Sequence, residues 1–292
     1  VNSGGAAEFL FSNHPSFGPI SLVIKTSDGQ ILNFSTNGTH TISFPSSNTS
    51  YILEISGVAP AFSFEDNPII EDLMQWGDIE WSDMNYFLRF SGATNTLITA
   101  TDVPRTEQNT RLSSTFTGLQ EANTDLSLMI TSNVTDMYFC FNNAIKMNFN
   151  PSNWDVSSLI SCHAGFYRMY SMSYDILWGD PTKGSISLTN AKTMFYGVKS
   201  ERIELQAGNI TSADSTMFST GNYLKHLLLI DMHISFYIQT SSGLVGTAID
   251  ELADSVADMT GQTSPTVTMT TTQYGTITPS IWNNKNWTIA QV

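Results

Sequence analysis

Charged side chains are scarce in this sequence. Asp, Glu, Lys and Arg together make up 13% of 292 residues, about half the usual share. Ser, Thr and Asn supply the surface polarity instead, a pattern that suits secreted and virion-surface proteins. No cluster of Lys or Arg occurs, and the net charge is −14. Nucleic acid is thereby excluded as the main partner, because phosphate backbones would be repelled. Anionic membranes are disfavoured on the same ground. Cysteine is nearly absent too: Cys140 and Cys162 are too few for a disulfide framework and match no zinc spacing. Both sit among apolar residues and are expected to be buried free thiols, with one bridge between neighbouring repeats as the alternative. No apolar run approaches the roughly 20 residues needed to span a bilayer. Runs such as Leu227 to Ile230 are only strand-sized, so no direct membrane insertion is expected. The chain opens at Val1 without an initiator Met or signal peptide, which leads to the expectation of a processed product or a fragment.

Catalytic and cofactor signatures are missing as well. There is no Gly-rich phosphate loop and no EF-hand calcium loop. None of His14, His40, His163, His226 and His233 falls in a triad motif. Cys162 and His163 are adjacent, but neighbours on a helix point about 100° apart. Asp78, Glu80 and Asp83 lie close to Trp76 and Trp81. Such a group could bind sugar, but the tryptophans are read as a packing plug. No cofactor, no metal and no enzymatic activity are expected.

What is present is patterned apolar sequence, 41% of the chain, enough for a packed core. Residues 1–16 read as a flexible arm whose apolar segment is Phe9, Leu10 and Phe11. Such a segment can pack on its own domain or pair with a neighbouring subunit, and self-packing is the default. Residues 17–66 show period-two alternation: Leu22 and Ile24, Ile42 and Phe44, then Tyr51, Leu53 and Ile55. Turn signals at Ser27-Asp28-Gly29-Gln30 and Asn37-Gly38 separate the runs. This stretch predicts a small antiparallel β-sandwich.

Residues 67–243 repeat. Apolar residues three or four apart, as in Val134, Met137, Cys140 and Phe141, predict short helices that each end on an aromatic or Leu. The terminal anchors are Leu88, Phe116, Phe141, Phe166, Phe195 and Phe218. Their spacing fits the period of a leucine-rich-type solenoid, roughly 20–29 residues. Strand-like stretches lie between, among them Leu97-Ile98-Thr99, Leu126 to Ile130, Lys146 to Phe149, Ser185 to Leu188, Arg202 to Leu205 and Leu227 to Ile230. Residues 244–292 form an atypical capping unit, with a helix over Leu244 to Met259 and closing strands at Thr266 to Met269 and Trp287 to Ile289. Within that helix, Asp250, Asp254 and Asp258 recur at i, i+4 and i+8 as a solvated stripe. The fold class is α+β: a small sandwich, then an α/β repeat solenoid with its cap.

Two repeats carry a family likeness. Asn133-Val134-Thr135-Asp136-Met137 and Asn153-Trp154-Asp155-Val156-Ser157-Ser158-Leu159 resemble the repeat of BspA-type leucine-rich surface proteins. Met194-Phe195-Tyr196-Gly197 and Met217-Phe218 resemble the ending of that repeat, and Gln75 to Trp81 resembles its entry segment. The resemblance covers roughly residues 69–292. It implies binding or adhesion at a bacterial cell surface or on a phage appendage, and hence an extracellular or virion-surface location. Implied partners are a protein or glycan on a host or cell surface. The best ligand-surface candidates are Tyr167, Tyr170, Tyr174 and Trp178. They fall where the anchor interval is longest, between Phe166 and Phe195, and an extra loop is expected there. The alternative is that these rings cover a ragged helix. A second functional expectation is an assembly subunit, self-associating or binding other virion or surface proteins through the N-terminal arm.

Overall fold

Alternating apolar and polar residues set the first strands of the computed structural model. It describes residues 6–11, 21–36, 38–44, 50–58, 71–79, 81, 83–85, 97–108, 111–122 and 124–292. Strand β1 (Ala6–Phe11) pairs antiparallel with β4 (Gly38–Ser43), while β2 (Ser21–Thr26) lies between β3 (Ile31–Phe34) and β5 (Leu53–Val58). Leu22 and Ile24 of β2 are buried while Ser21 and Lys25 are exposed, the inside-outside alternation expected of a half-covered sheet. The β2–β3 hairpin turns where expected. Gly29 takes φ 93°, and the Asp28 carboxylate accepts hydrogen bonds from the Thr26 hydroxyl and the Gln30 side chain. Gly57 in β5 is required by contact: a Cβ there would lie 2.1 Å from the Ser21 carbonyl oxygen. Phe9, Leu10 and Phe11 lie in β1, in register with His40, Thr39 and Gly38 of the same chain. The apolar part of the arm is therefore self-paired.

Beyond residue 70 the chain winds into a solenoid of about eight turns, mostly β with few helices. Short parallel strands stack along it. β6 (Asp72–Leu73) pairs with β7 (Leu97–Ile98). β8 (Ile176–Trp178), β9 (Arg202–Gln206) and β10 (His226–Ile230) form a second ladder, and β11 (Phe236–Tyr237), β12 (Thr266–Met269) and β13 (Thr288–Gln291) a third. Ile176, Ile203 and Leu227 lie side by side in the second ladder and are all buried. Single parallel bridges join Arg111, Asp136, Ser161, Asn190 and Ser212, one residue from each successive coil.

The short helices predicted before each phenylalanine are not helices. Residues 113–118, 138–143 and 163–168 are successions of turns. Along one such stretch, the amides of Met137, Phe139, Phe141 and Asn143 donate to Ser161, His163, Gly165 and Tyr167 in the next coil. The amides between them, from Cys140, Asn142 and Ala144, donate three residues back to Met137, Phe139 and Phe141. Every second amide thus serves the neighbouring coil, which an α-helix cannot allow because its amides are consumed internally. A left-handed residue recurs every four positions to keep the direction: Ser114 and Gly118, Phe139 and Asn143, Ala164 and Arg168, Thr193 and Gly197. The predicted strands at Leu126 to Ile130, Lys146 to Phe149 and Ser185 to Leu188 are likewise turns or extended segments. Strands do form at Leu97, Arg202 and His226.

The core runs along the solenoid axis. Phe116, Phe141, Phe166, Phe195 and Phe218 stack coil upon coil, with ring centroids 5.2, 5.5, 5.8 and 6.2 Å apart. Trp76 caps the column edge-on at 6.1 Å from Phe116. Trp76 and Trp81 are both buried, as a plug requires. The sixth expected anchor, Leu88, lies outside the described residues. Trp154 and Trp178 flank the column, and each indole donates at 3.0 Å to a carbonyl of the preceding coil, Leu126 and Pro151 respectively.

The helices of the described residues other than one 3-10 turn fall near the C-terminal end. Helix α1 (Thr247–Ser255) buries Ile249 and Leu252, and Val256 is buried just beyond its end. Two short helices, α2 (Thr271–Tyr274) and α3 (Pro279–Asn284), precede β13. Gln273 is buried and closes a capping box with Thr270. Its Nε2 lies 3.1–3.2 Å from the carbonyls of Ile238, Ser241 and Leu244, tying the cap to the last coils. Asp250 is not merely solvated: it accepts from the amide and hydroxyl of Thr278, both at 2.9 Å.

Candidate functional site

The turn segments carry their side chains outward at fixed places, so a residue type repeated at one place forms a column. Each anchor phenylalanine is followed by an outward position, and at two consecutive coils that position is tyrosine. Tyr167 follows Phe166, Tyr196 follows Phe195, and the two rings stack at 4.8 Å with planes 23° apart. The separation equals the ordinary spacing of hydrogen-bonded strands. Tyr170 lies three positions on and is 44% exposed. Its ring rests against Gly197, where an added Cβ would come within 2.7 Å of Tyr170 Cε1. One coil further, Tyr223 is also 44% exposed.

Two cations are placed among these rings. The Arg168 guanidinium lies 5.0 Å from the Tyr167 centroid, and Lys199 Nζ lies 5.6 Å from the Tyr223 centroid. Both distances are within the range for attraction between a cation and the ring face. Among the described residues, neither Arg168 nor Lys199 is in an ion pair. Lys146, by contrast, is paired with Glu121, and Arg202 with Glu204.

A second column runs nearer the start of each turn segment. Tyr138 stacks on His163 of the next coil at 5.1 Å, and Phe139 meets the same imidazole edge-on at 5.4 Å. Burial lowers the His163 pKa; the nearby Asp214 carboxylate opposes that and Lys192 reinforces it. Asp214 itself is a hub. Burial would raise its pKa, but hydrogen bonds from Thr193 and Thr216 outweigh that and lower it. Each threonine donates both its amide and its hydroxyl, at 2.7–3.1 Å. In the coils before it, the corresponding amides of Ser114, Phe139 and Ala164 donate to main-chain carbonyls. The bridge interval from Asn190 to Ser212 is the shortest of the series, and there a side chain takes over that rung.

The four expected ligand-surface residues divide. Tyr167 is half-buried in the stacked column, and Tyr170 stands beside it. Tyr174 is 46% exposed in the segment leading into β8. Trp178 is a correction: it is 1% exposed, points into the core and packs against Phe166 at 5.8 Å and Phe195 at 6.5 Å. The extra residues of the long interval follow it instead, as an exposed turn over 180–183. Tyr196, Tyr223, Arg168 and Lys199, which adjoin these rings, were not among the expected residues. The Phe-Tyr pairs at 166–167 and 195–196, each in register with an anchor, were the available signal.

Cys140 and Cys162 are free, fully buried thiols. Burial pushes both thiol pKa values well up, reinforced by the negative charge of Asp136, so neither is a ready nucleophile. Among the described residues, no group of three His, Cys, Asp or Glu side chains is placed to hold a metal ion. No helix among them is long and apolar enough to cross a membrane. Asp83 is nearly buried and accepts from the Asn85 amide at 2.8 Å.

Residues 82–208, which hold most of the turn-segment coils, are similar to a family described as "Mycoplasma protein of unknown function, DUF285". That match supports a repeat family of surface proteins loosely. No curated protein and no solved structure matches the chain.

Proposed function

We propose that this chain is a non-catalytic recognition protein of a cell or virion surface, as on a phage appendage, and that it attaches through the tyrosine-bearing face of its coils. We further infer that the coils are degenerate leucine-rich-type repeats of the BspA kind and that the N-terminal sheets form a small sandwich. One observation carries the functional reading. Tyr167, Tyr170, Tyr196 and Tyr223 recur on consecutive coils of one face, with rings partly in solvent. Tyrosine offers large contact area at low entropic cost and is a common energetic anchor of interfaces. A solenoid holds such side chains at fixed spacing, so little ordering remains to be done on binding.

The test is attachment of purified protein to intact cells, compared with a Tyr170→Ala, Tyr223→Ala double variant. Attachment should fall at least about tenfold, as when interface anchors are truncated, while the melting temperature stays within a few degrees. Unchanged attachment would reject the face as the binding site. Release of soluble sugar from surface polysaccharide by the wild-type protein would reject the non-catalytic part. The assembly reading gains no specific support, since the backbone of Phe9, Leu10 and Phe11 is paired within its own chain.

A further inference from the structure

We propose that the tyrosine face binds an anionic polysaccharide laid along the solenoid axis. The proposal rests on the recognition reading above and names its ligand class. Its first ground is charge. The chain carries −14 overall, yet six of its twelve Lys and Arg and only five of its 26 Asp and Glu fall between residues 163 and 225. That segment is positive by one charge in a strongly acidic protein. A neutral ligand would gain nothing from such sorting. An anionic one would be repelled elsewhere and drawn to this segment, because field sorting acts on encounter as well as on contact.

The second ground is how the cations are held. Arg168 and Lys199 stand over tyrosine rings instead of carboxylates. Their charge is thus not neutralised by a protein partner, and the ring face orients them without cancelling them. Arginine in this setting can grip a carboxylate, sulfate or phosphate oxygen pair through two parallel donors.

The third ground is shape and chemistry. The rings and cations extend over three successive coils, about 10 Å along the axis at the strand spacing. Pyranose rings present flat C–H faces that suit tyrosine and hydroxyls that suit the Asn, Ser and Thr of the coil surface. Acidic groups repeated along a glycan would meet one cation after another. A protein partner would call for an apolar centre, whereas Arg168, Lys199 and Gly197 lie against the rings of Tyr167, Tyr223 and Tyr170.

The test is affinity electrophoresis and titration calorimetry of the full chain with polygalacturonate and dextran sulfate, and with unmodified dextran as the neutral probe. The variants are Arg168→Glu, Lys199→Glu and Tyr170→Ala, each checked for an unchanged melting temperature. Expected is binding to the acidic polymers that each charge reversal weakens at least about tenfold, as like-charge contacts do. It should fade towards about 0.5 M salt, where screening is short-ranged. Dextran should bind far more weakly. Equal binding of dextran, with the charge variants unaffected, would overturn the anionic ligand while leaving a recognition face. Absence of binding to all three polymers, with cell attachment still lost in Tyr170→Ala, would overturn the glycan assignment and leave the recognition reading standing. If attachment also survives Tyr170→Ala with no polymer bound, both fall.

Discussion

Replacing Phe166 by Ala tests whether the stacked rings hold the coils together. Phe166 is fully buried. Its ring meets Phe141 at 5.5 Å, Phe195 at 5.8 Å and Trp178 at 5.8 Å, so the substitution leaves a hole bounded by three aromatic neighbours. Losing the ring and failing to refill the space should cost about 3–5 kcal/mol. That is a large part of the roughly 5–15 kcal/mol that stabilises an ordinary domain. In a solenoid each coil is coupled to its neighbours only, so the loss should also be local. Urea unfolding gives the magnitude, and amide exchange read by mass spectrometry gives the place. Protection should fall first in residues 137–143 and 191–197, whose amides bond coil to coil, and last in α1 and β12. Tyr170→Ala, at an exposed ring, should stay within about 0.5 kcal/mol. A cost below about 1 kcal/mol for Phe166→Ala, well short of the usual penalty for a lost core ring, or a protection loss spread evenly over the chain, would refute the ring column as the spine.

Three further outcomes follow from the same packing. Trp154→Phe removes the 3.0 Å indole bond to the Leu126 carbonyl, which keeps the amide of Met129, and should cost about 0.5–1.5 kcal/mol in urea unfolding, the net worth of one hydrogen bond; Trp178→Phe should behave alike at Pro151, whose carbonyl keeps the amide of Trp154. Asp214→Asn should destabilise at neutral pH. Because the folded Asp214 pKa lies below its ordinary 3.8, the wild-type contribution is complete above that value and vanishes as pH falls through the folded pKa. The gap between the two proteins in a pH series of urea midpoints should therefore close only in acid below that ordinary value. Cys140 and Cys162 should stay unreactive to a soluble disulfide reagent in mild alkali in the native protein and titrate as two thiols once urea unfolds it; fast native labelling would contradict their burial.

The sequence carried the period of the fold and the identity of its spine, because both are written in large side chains. Phe116, Phe141, Phe166, Phe195 and Phe218 were legible as anchors since only a stacked architecture needs one large ring at the same place in every coil, and β12 was legible from a run of alternating Thr with Val and Met. The helix-like spacing misled for a definable reason. Met137, Cys140, Phe141 and Ala144 are spaced as on a helical face, and a right-handed turn every few residues gives that spacing too. What separates the two is the left-handed backbone at Phe139 and Asn143, and Phe139 shows none of the glycine that would announce it. The energy that forces Phe139 there comes from the neighbouring coil, whose His163 and Tyr167 carbonyls accept the amides of Phe139 and Asn143. A single repeat read alone does not contain that information. Trp178 failed in the opposite way: added length was read between Phe166 and Phe195, but a tryptophan within that interval was taken to belong to it. The β8 alternation, with Ile176 and Trp178 buried and Leu177 outward, assigns the indole to the core and leaves the insertion to Asp180 through Lys183. The tyrosine-bearing face was half legible for the same reason. Tyr167 and Tyr170 stood out within one repeat, whereas Tyr196 and Tyr223 join them only when the coils are laid in register, and that register is set by the buried phenylalanines behind them.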